Sequence, residues 1–193
     1  MPAPKILVFA GSIRTGSHNA RLAALAVKEF TLADAEVTLI SLADYPLPLY
    51  EADLEIKAGA PHNAVKLKQM MCAHHGVFIV SPEYNASVTP LLKNAIDWVS
   101  RVRERGDAPL AAYKGRAFAL GSASPGPWGG TRSLLALRQV LAVGCGALVI
   151  AEQVAVPHAD KAFDDMDNLT DARTTAALKT AAQRLVDVAR LMM

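Results

Sequence analysis

The sequence has few cysteines, few aromatic residues and no excess of charge of either sign. Its 193 residues include 2 cysteines, and aromatic residues make up 6%. Cys72 and Cys145 form neither a CxxC pair nor a metal-ligand spacing, so we expect reduced thiols, a cytoplasmic location and no metal site. The 20 basic and 18 acidic residues leave a net charge of +2, which gives no general attraction to nucleic acid.

Long hydrophobic runs are also absent. The longest uncharged apolar stretch near a strand, residues 140–151, is too short to cross about 30 Å of hydrocarbon. The apolar run at residues 6–10 is too short for the hydrophobic core of a signal peptide. With 52% hydrophobic and 20% charged residues, we expect one globular domain over residues 1–193 with no membrane contact.

The sequence does contain an alternation of strand-like and helix-like segments. Short apolar runs predict five strands, at residues 5–10, 36–42, 76–80, 116–120 and 147–156. Apolar residues three or four apart predict helices at 19–30, at 61–74, from Pro90, from about 130 to 142, and from an N-cap at Thr170. This order predicts an α/β fold with a parallel sheet and helices on both faces. In such sheets, ligands bind beyond the carboxyl ends of the strands.

The loop after the first strand is rich in small polar residues that suit a phosphate group. Gly11 and Gly16 have the spacing of a P-loop, but no lysine follows Gly16, so the loop does not match a nucleotide-triphosphate site. One guanidinium at Arg14, a helix N-terminus and several short donors suit a terminal monophosphate. The donors are Ser12, Thr15, Ser17 and Asn19. The alternative is an ordinary helix-capping turn with solvated polar residues.

Two other predicted strand ends carry unusual loops. Residues 82–85 form a turn that can show backbone donors and acceptors to a flat heterocycle beside Tyr84, or else a plain strand-to-helix turn. Residues 121–130 are rich in glycine, and the next helix offers a positive end that would stabilise negative charge on a reduced ring. A flexible surface loop is the alternative there. Residues 45–50, with tyrosine, proline and leucine, favour contact with another subunit over a lid on the core.

Three segments together make the chain resemble the NADPH-dependent FMN reductase family, which has a flavodoxin-like fold and includes quinone, azo-dye and chromate reductases. The segments are GSIRTGSHNARLA at 11–23, SPEYNASVTPLLKNAIDWVSR at 81–101 and GSASPGPWGGTRSLLALRQVL at 121–141. The resemblance covers about residues 5–190 and implies a five-stranded parallel sheet in the order 2-1-3-4-5. The chain departs from the family pattern at Ile13, where leucine is common, and at Thr89–Pro90, where Pro-Gly is common.

The resemblance also implies the residues of a cofactor site. The FMN phosphate is assigned to Ser12, Arg14, Ser17 and Asn19, with a backbone contribution from His18. The flavin ring and ribityl chain are assigned to Pro82, Glu83, Tyr84 and Asn85. The other edge of the ring is assigned to Ser122, Ser124 and Gly126. No side chain is implied as a catalytic acid or base, because a flavin carries the chemistry itself.

The activity that this resemblance implies is that of an oxidoreductase with FMN as cofactor and NAD(P)H as co-substrate. Ping-pong hydride transfer through flavin N5 is expected, with quinones, azo compounds, free flavin or metal oxyanions such as chromate as acceptors. A homodimer or homotetramer is implied as well. A non-enzymatic electron carrier of the flavodoxin type and a flavin-binding regulatory module stay open as alternatives. The net charge of +2 disfavours the carrier, because such carriers are typically strongly acidic.

Overall fold

The computed structural model describes residues 2–193, which form one parallel β-sheet flanked by helices. The five strands are β1 (Lys5–Ala10), β2 (Glu36–Ser41), β3 (Gly76–Val80), β4 (Ala117–Ala123) and β5 (Leu148–Val156). They lie in the order β2-β1-β3-β4-β5, and every neighbouring pair is parallel. The α/β fold and the strand order expected from the sequence are therefore confirmed.

Six α-helices accompany these strands. They are α1 (His18–Leu32), α2 (Ala52–Ala58), α3 (His62–Cys72), α4 (Pro90–Arg101), α5 (Thr131–Arg138) and α6 (Ala172–Arg190). Buried side chains of α1 and α6 pack on one face of the sheet, and those of α3, α4 and α5 pack on the other. Among residues 2–193, no helix combines the length and the apolar composition that a membrane crossing requires.

The central strand β3 shows why the sheet needs apolar residues at consecutive positions. Phe78 and Val80 lie in the core beside α1 and α6, whereas Val77 and Ile79 lie in the core beside α3 and α4. Every residue of the strand is buried, as expected for a parallel strand covered on both faces. The register pairs Ala10 with Val80, and Val80 pairs with Gly121. The loops after β1, β3 and β4 therefore start at neighbouring points of one sheet edge.

The structure corrects three expectations about the elements. β4 runs on to Ala123, because Gly121, Ser122 and Ala123 pair with β5, so three residues expected in a loop belong to a strand. Asp171, rather than Thr170, is the N-cap of α6, and its carboxylate accepts a hydrogen bond from the Thr174 amide. Helix α2 escaped prediction because none of its residues is buried, so the sequence shows no apolar stripe there.

Residues 45–50 cover the core of their own chain. The Pro48 carbonyl accepts hydrogen bonds from the Trp98 indole at 2.7 Å and from the Asn94 amide at 2.9 Å. Tyr50 meets the Trp98 ring edge-on, with 5.1 Å between ring centroids. These contacts bury Trp98 completely. The segment therefore covers α4 within its own chain, and the subunit contact that the sequence favoured stays a prediction.

A buried imidazole links the end of α3 to β2. His74 Nδ1 donates a hydrogen bond to the Met70 carbonyl at 2.7 Å, and Nε2 lies 2.9 Å from the Thr38 hydroxyl. The neutral ring satisfies both contacts when Nε2 accepts from that hydroxyl. Burial lowers the pKa of His74 below its usual value.

We predict that the free energy of unfolding falls as the pH drops through about 6.5, the usual histidine pKa. The folded chain resists a proton that the unfolded chain binds, so acid favours unfolding. His74→Asn should flatten this fall, since asparagine still offers a donor to Met70 without titrating. Urea midpoints at about pH 7.5 and about pH 5.5 measure the effect. His62→Asn, at the exposed start of α3, should keep the parent's pH dependence; equal flattening in both variants would contradict the assignment.

Candidate functional site

A cavity of about 230 Å³ lies beyond the carboxyl ends of β1, β3 and β4. Its lining brings together nine of the twelve residues that the sequence predicted for a cofactor. These are Ser12, Arg14, Ser17, His18, Asn19, Pro82, Glu83, Tyr84 and Ser124. Asn85, Ser122 and Gly126 lie outside this lining, and the lining also includes Ala123 and Pro125.

The first loop presents a helix N-terminus to the cavity. Ser17 is the N-cap of α1, and its hydroxyl accepts a hydrogen bond from the Ala20 amide at 3.4 Å. The amides of His18 and Asn19 belong to the first turn, where no carbonyl of the helix can reach them. Two backbone donors and the positive end of the helix dipole therefore lie at the wall of the cavity.

His18 contributes a side chain that the sequence did not assign to a ligand. Its Nδ1 is buried and has no hydrogen-bond partner among residues 2–193. Burial lowers the pKa of this imidazole, and the positive charges of Arg14 and Arg21 lower it further. Buried polar atoms in folded proteins are nearly always paired, so this orphaned nitrogen, in a residue that lines the cavity, is a candidate partner for a polar ligand.

Arg14 supplies the positive charge of the same wall. Its guanidinium folds back on the loop and donates to the Thr15 carbonyl at 3.1 Å and to the Gly16 carbonyl at 3.0 Å. A guanidinium has five N–H donors, so further donors remain after these two bonds. The Ser12 hydroxyl accepts from the Arg14 amide at 3.4 Å, which draws both residues to the same turn.

The side chain of Asn19 bonds to the end of β4. Its Nδ2 donates to the Ala123 carbonyl at 2.8 Å, and its Oδ1 accepts from the Ala123 amide at 2.9 Å. The side chain is buried, and both of its polar atoms are engaged. Asn19 thus fastens the start of α1 to the end of β4, which leaves its backbone amide as the group that a phosphate can use.

Glu83 fastens the second loop to the first turn of α5. Its carboxylate accepts from the backbone amides of Arg132 at 3.1 Å and Ser133 at 3.3 Å, and it pairs with the Arg132 guanidinium. The side chain of Glu83 is only 7% exposed. The positive end of α5, expected to stabilise a reduced ring, is therefore already occupied by a carboxylate of the chain itself.

The tip of the second loop is a tight turn at the cavity mouth. Tyr84 and Ser87 exchange two backbone hydrogen bonds, each 3.0 Å long. Asn85 and Ala86 between them have φ values of 49° and 63°, in the left-handed region. Tyr84 lines the cavity and keeps its ring largely exposed, so it can pack beside a flat ligand.

Ser122 is placed differently from the expectation. It is fully buried in β4, and its Oγ has no hydrogen-bond partner among residues 2–193. Gly130 packs directly on it: a Cβ at Gly130 would lie 1.8 Å from that oxygen. Ser124 does reach the cavity, and its hydroxyl accepts from the Gly126 amide at 3.3 Å. Ser122 and Gly126 thus shape the third loop from outside the cavity lining.

The residues of the first loop fit a phosphate-bearing cofactor such as FMN. Two first-turn amides, the hydroxyls of Ser12 and Ser17, one guanidinium and the imidazole of His18 belong to residues that line the cavity. The sequence missed how Thr89 supports this wall. Its hydroxyl donates to the Gly11 carbonyl at 2.8 Å while capping α4. Only the capping role was visible in the sequence, because the second partner is 78 residues away.

Comparisons with known proteins point in the same direction. A family model described as NADPH-dependent FMN reductase matches residues 4–161. A quinone reductase of Escherichia coli (strain K12) is 39% identical over 138 residues, which are 71% of this chain and 69% of that relative. An NAD(P)H-dependent FMN reductase of Pseudomonas aeruginosa is 31% identical over 182 residues, which are 94% of this chain and 92% of that relative.

A solved structure agrees along the whole chain. FerB, a flavoenzyme NAD(P)H:(acceptor) oxidoreductase from Paracoccus denitrificans, superposes with a TM-score of 0.77 at 25% sequence identity. The superposition covers 98% of this chain and 99% of the other. The likeness therefore includes the strand ends and loops that enclose the cavity.

We predict that Asn19→Asp lowers the free energy of unfolding by about 1–3 kcal/mol, the usual effect of leaving a buried polar group unsatisfied. Aspartate keeps the acceptor for the Ala123 amide but loses the donor for its carbonyl. Urea unfolding of the apoprotein measures the loss. Asn63→Asp is the matched control, because the Asn63 side chain makes a single bond to the Pro46 carbonyl at an exposed position. Equal losses in both variants would contradict a special role for Asn19.

Proposed function

The chain belongs to the NADPH-dependent FMN reductase family and is an oxidoreductase, and from this premise we propose that it carries FMN in the cavity described above. NAD(P)H is the proposed electron donor. Quinones are the acceptors that we place first, since the Escherichia coli relative is named a quinone reductase. Azo compounds, free flavin and metal oxyanions such as chromate complete the proposed range.

The observation that carries the proposal is the polar wall of the first loop. The amides of His18 and Asn19 and the guanidinium of Arg14 would hold the phosphate of FMN, supported by the hydroxyls of Ser12 and Ser17. The orphaned Nδ1 of His18 would gain a polar partner. This set contains one full positive charge and a dipole end, which suits a single terminal phosphate.

The second and third loops would hold the rest of the cofactor. Tyr84 offers a ring face, and the turn at Asn85 offers backbone groups to the flavin ring and the ribityl chain. Pro82 and Ser124 complete the lining of the cavity beside these groups. Glu83, Ser122 and Gly126 would act indirectly, because their polar groups face the protein and give the loops their shape.

FMN, when bound, supplies the hydride chemistry, and we propose a ping-pong sequence in which NAD(P)H and acceptor use the same open face in turn. The protein's part is to bind, orient and tune. Neither Glu83 nor His18 is proposed as an acid or base. The carboxylate of Glu83 is hydrogen-bonded to the first turn of α5, and the imidazole of His18 belongs to the loop proposed to hold the phosphate.

We also propose one flavodoxin-like domain over residues 1–193, a cytoplasmic location and a homodimer or homotetramer. An exposed apolar pair supports subunit contact. Leu135 on α5 is 60% exposed, and Val143, in the π-helical continuation at Gln139–Gly144, is 80% exposed. Val143 follows Leu135 by eight positions, about two helical turns, which places the two side chains on one face.

A visible spectrum with steady-state kinetics tests the function. The purified protein should be yellow, bleach when NADPH is added under nitrogen, and oxidise NADPH with a quinone in the absence of a partner protein. Varying both substrates should give parallel double-reciprocal lines, which indicate ping-pong kinetics. A yellow protein that neither NADPH nor NADH bleaches would favour the electron carrier or the regulatory module. A colourless protein that takes up no FMN would overturn the proposal.

We predict that Arg14→Ala weakens FMN binding by at least about tenfold, because a hydrogen bond to a charged group is worth about 1.5–3 kcal/mol. Turnover of the FMN-saturated variant should stay near that of the parent, since Arg14 does not orient the reacting ring. Fluorescence titration of the apoprotein measures the affinity. Riboflavin, which lacks the phosphate, should bind the parent and the variant equally.

Arg105→Ala serves as the control for this substitution. Arg105 is exposed in the loop between α4 and β4, at the opposite edge of the sheet. Its removal changes the net charge by the same amount and should leave FMN affinity unchanged. Equal weakening in both variants would show a general charge effect and would count against Arg14 as a phosphate ligand.

A further inference from the structure

We infer that Glu83 is a positioning residue whose carboxylate caps α5 and neutralises the positive end of that helix. Because this positive charge is neutralised, bound flavin favours the oxidised state. The inference rests on the proposed FMN site. It assigns to Glu83 a role different from the ring contact that the sequence implied. The role follows from how α5 begins and from which charges lie around the cavity.

Helix α5 begins without a cap from its own sequence. Its N-cap is Gly130, at φ +85°, and no side chain there accepts a hydrogen bond from the first turn. A serine or aspartate, the usual capping residues, cannot replace it, because a Cβ would lie 1.8 Å from Ser122 Oγ. The first amides of α5 must therefore be satisfied from elsewhere in the fold.

Glu83 provides the missing cap from a different loop. Its carboxylate reaches the Arg132 and Ser133 amides across 49 and 50 residues of chain. The side chain of Glu83 is 7% exposed, whereas that of its partner Arg132 is 55% exposed. Solvent therefore screens the positive member of the pair far more than the negative member.

The charges of the residues that line the cavity determine how the Glu83 cap affects a bound flavin. Among the described residues of the lining, Arg14 and Glu83 are the two that carry a full charge at neutral pH. Arg14 lies in the proposed phosphate loop, which leaves Glu83 as the charge beside the second and third loops. Without a carboxylate at the N-terminus of α5, the positive end of the helix dipole would stabilise the reduced flavin ring, which carries more negative charge. The buried carboxylate of Glu83 opposes this stabilisation. Reduced flavin then gives up its electrons more readily.

The inference predicts shifts of opposite sign for the two members of the pair. Glu83→Gln keeps an acceptor for the amides but removes the negative charge, so affinity for reduced FMN relative to oxidised FMN should rise by about tenfold, or about 30 mV for a two-electron couple. Arg132→Gln leaves the carboxylate unbalanced and should lower the same ratio by a smaller factor, because Arg132 is more exposed. Glu83→Asp should keep the parent's ratio.

Dye-coupled equilibrium titration of the flavin-loaded protein measures this ratio, and thermal unfolding of the apoproteins reports structural damage separately. A purely structural role would weaken oxidised and reduced FMN equally and leave the ratio unchanged in all three variants, which would overturn the inference. Shifts of the same sign in Glu83→Gln and Arg132→Gln would overturn it too. If the parent itself binds no FMN, the proposed function fails instead, and this result is distinct from an unchanged ratio.

Discussion

The pairing of Asn19 with Ala123 is the contact on which the rest of the site depends. Parallel register brings the ends of β1, β3 and β4 to one edge, but register alone does not determine how the loops beyond them lie. Two buried hydrogen bonds join the first turn of α1 to the last residue of β4. The two bonds join the Asn19 side chain to the Ala123 backbone, and they therefore set the distance between the first and third loops and the width of the cavity between them.

Two helices, α1 and α5, begin at this edge of the sheet, and their positive ends are capped in opposite ways. α1 is capped by Ser17, a small neutral side chain, which leaves two first-turn amides and the dipole available to an anion. α5 is capped by the carboxylate of Glu83, which uses the amides and cancels the dipole. We propose that the candidate site is thus polarised, so that one end would attract a phosphate and the other would not attract electron density. Such a division suits a cofactor that binds tightly yet releases its electrons.

The sequence was sufficient for the sheet and for the position of the polar loops at one end of its strands. Consecutive apolar residues in β3 and the polar loop at residues 11–19 are local signals, and both lie where the patterns predicted. Individual roles within the site were not predictable in the same way. Asn19, Glu83 and Thr89 each bond to a residue between 49 and 104 positions away, and no local pattern encodes such partners. Ser122 was misplaced because a strand boundary depends on pairing with β5.

The turn at Tyr84–Ser87 shows how these long-range bonds bear on recognition. Ala86 lies in the left-handed region, a conformation that costs an alanine about 1–2 kcal/mol. The turn keeps this conformation because it is fastened on both sides, by Glu83 to α5 and by Thr89 to the Gly11 carbonyl. A loop fixed before binding loses little entropy when a flat ring lies against it. The left-handed conformation of Ala86 and the hydrogen bonds that fix the turn on both sides therefore act together, and they would present a rigid edge to a flat ligand.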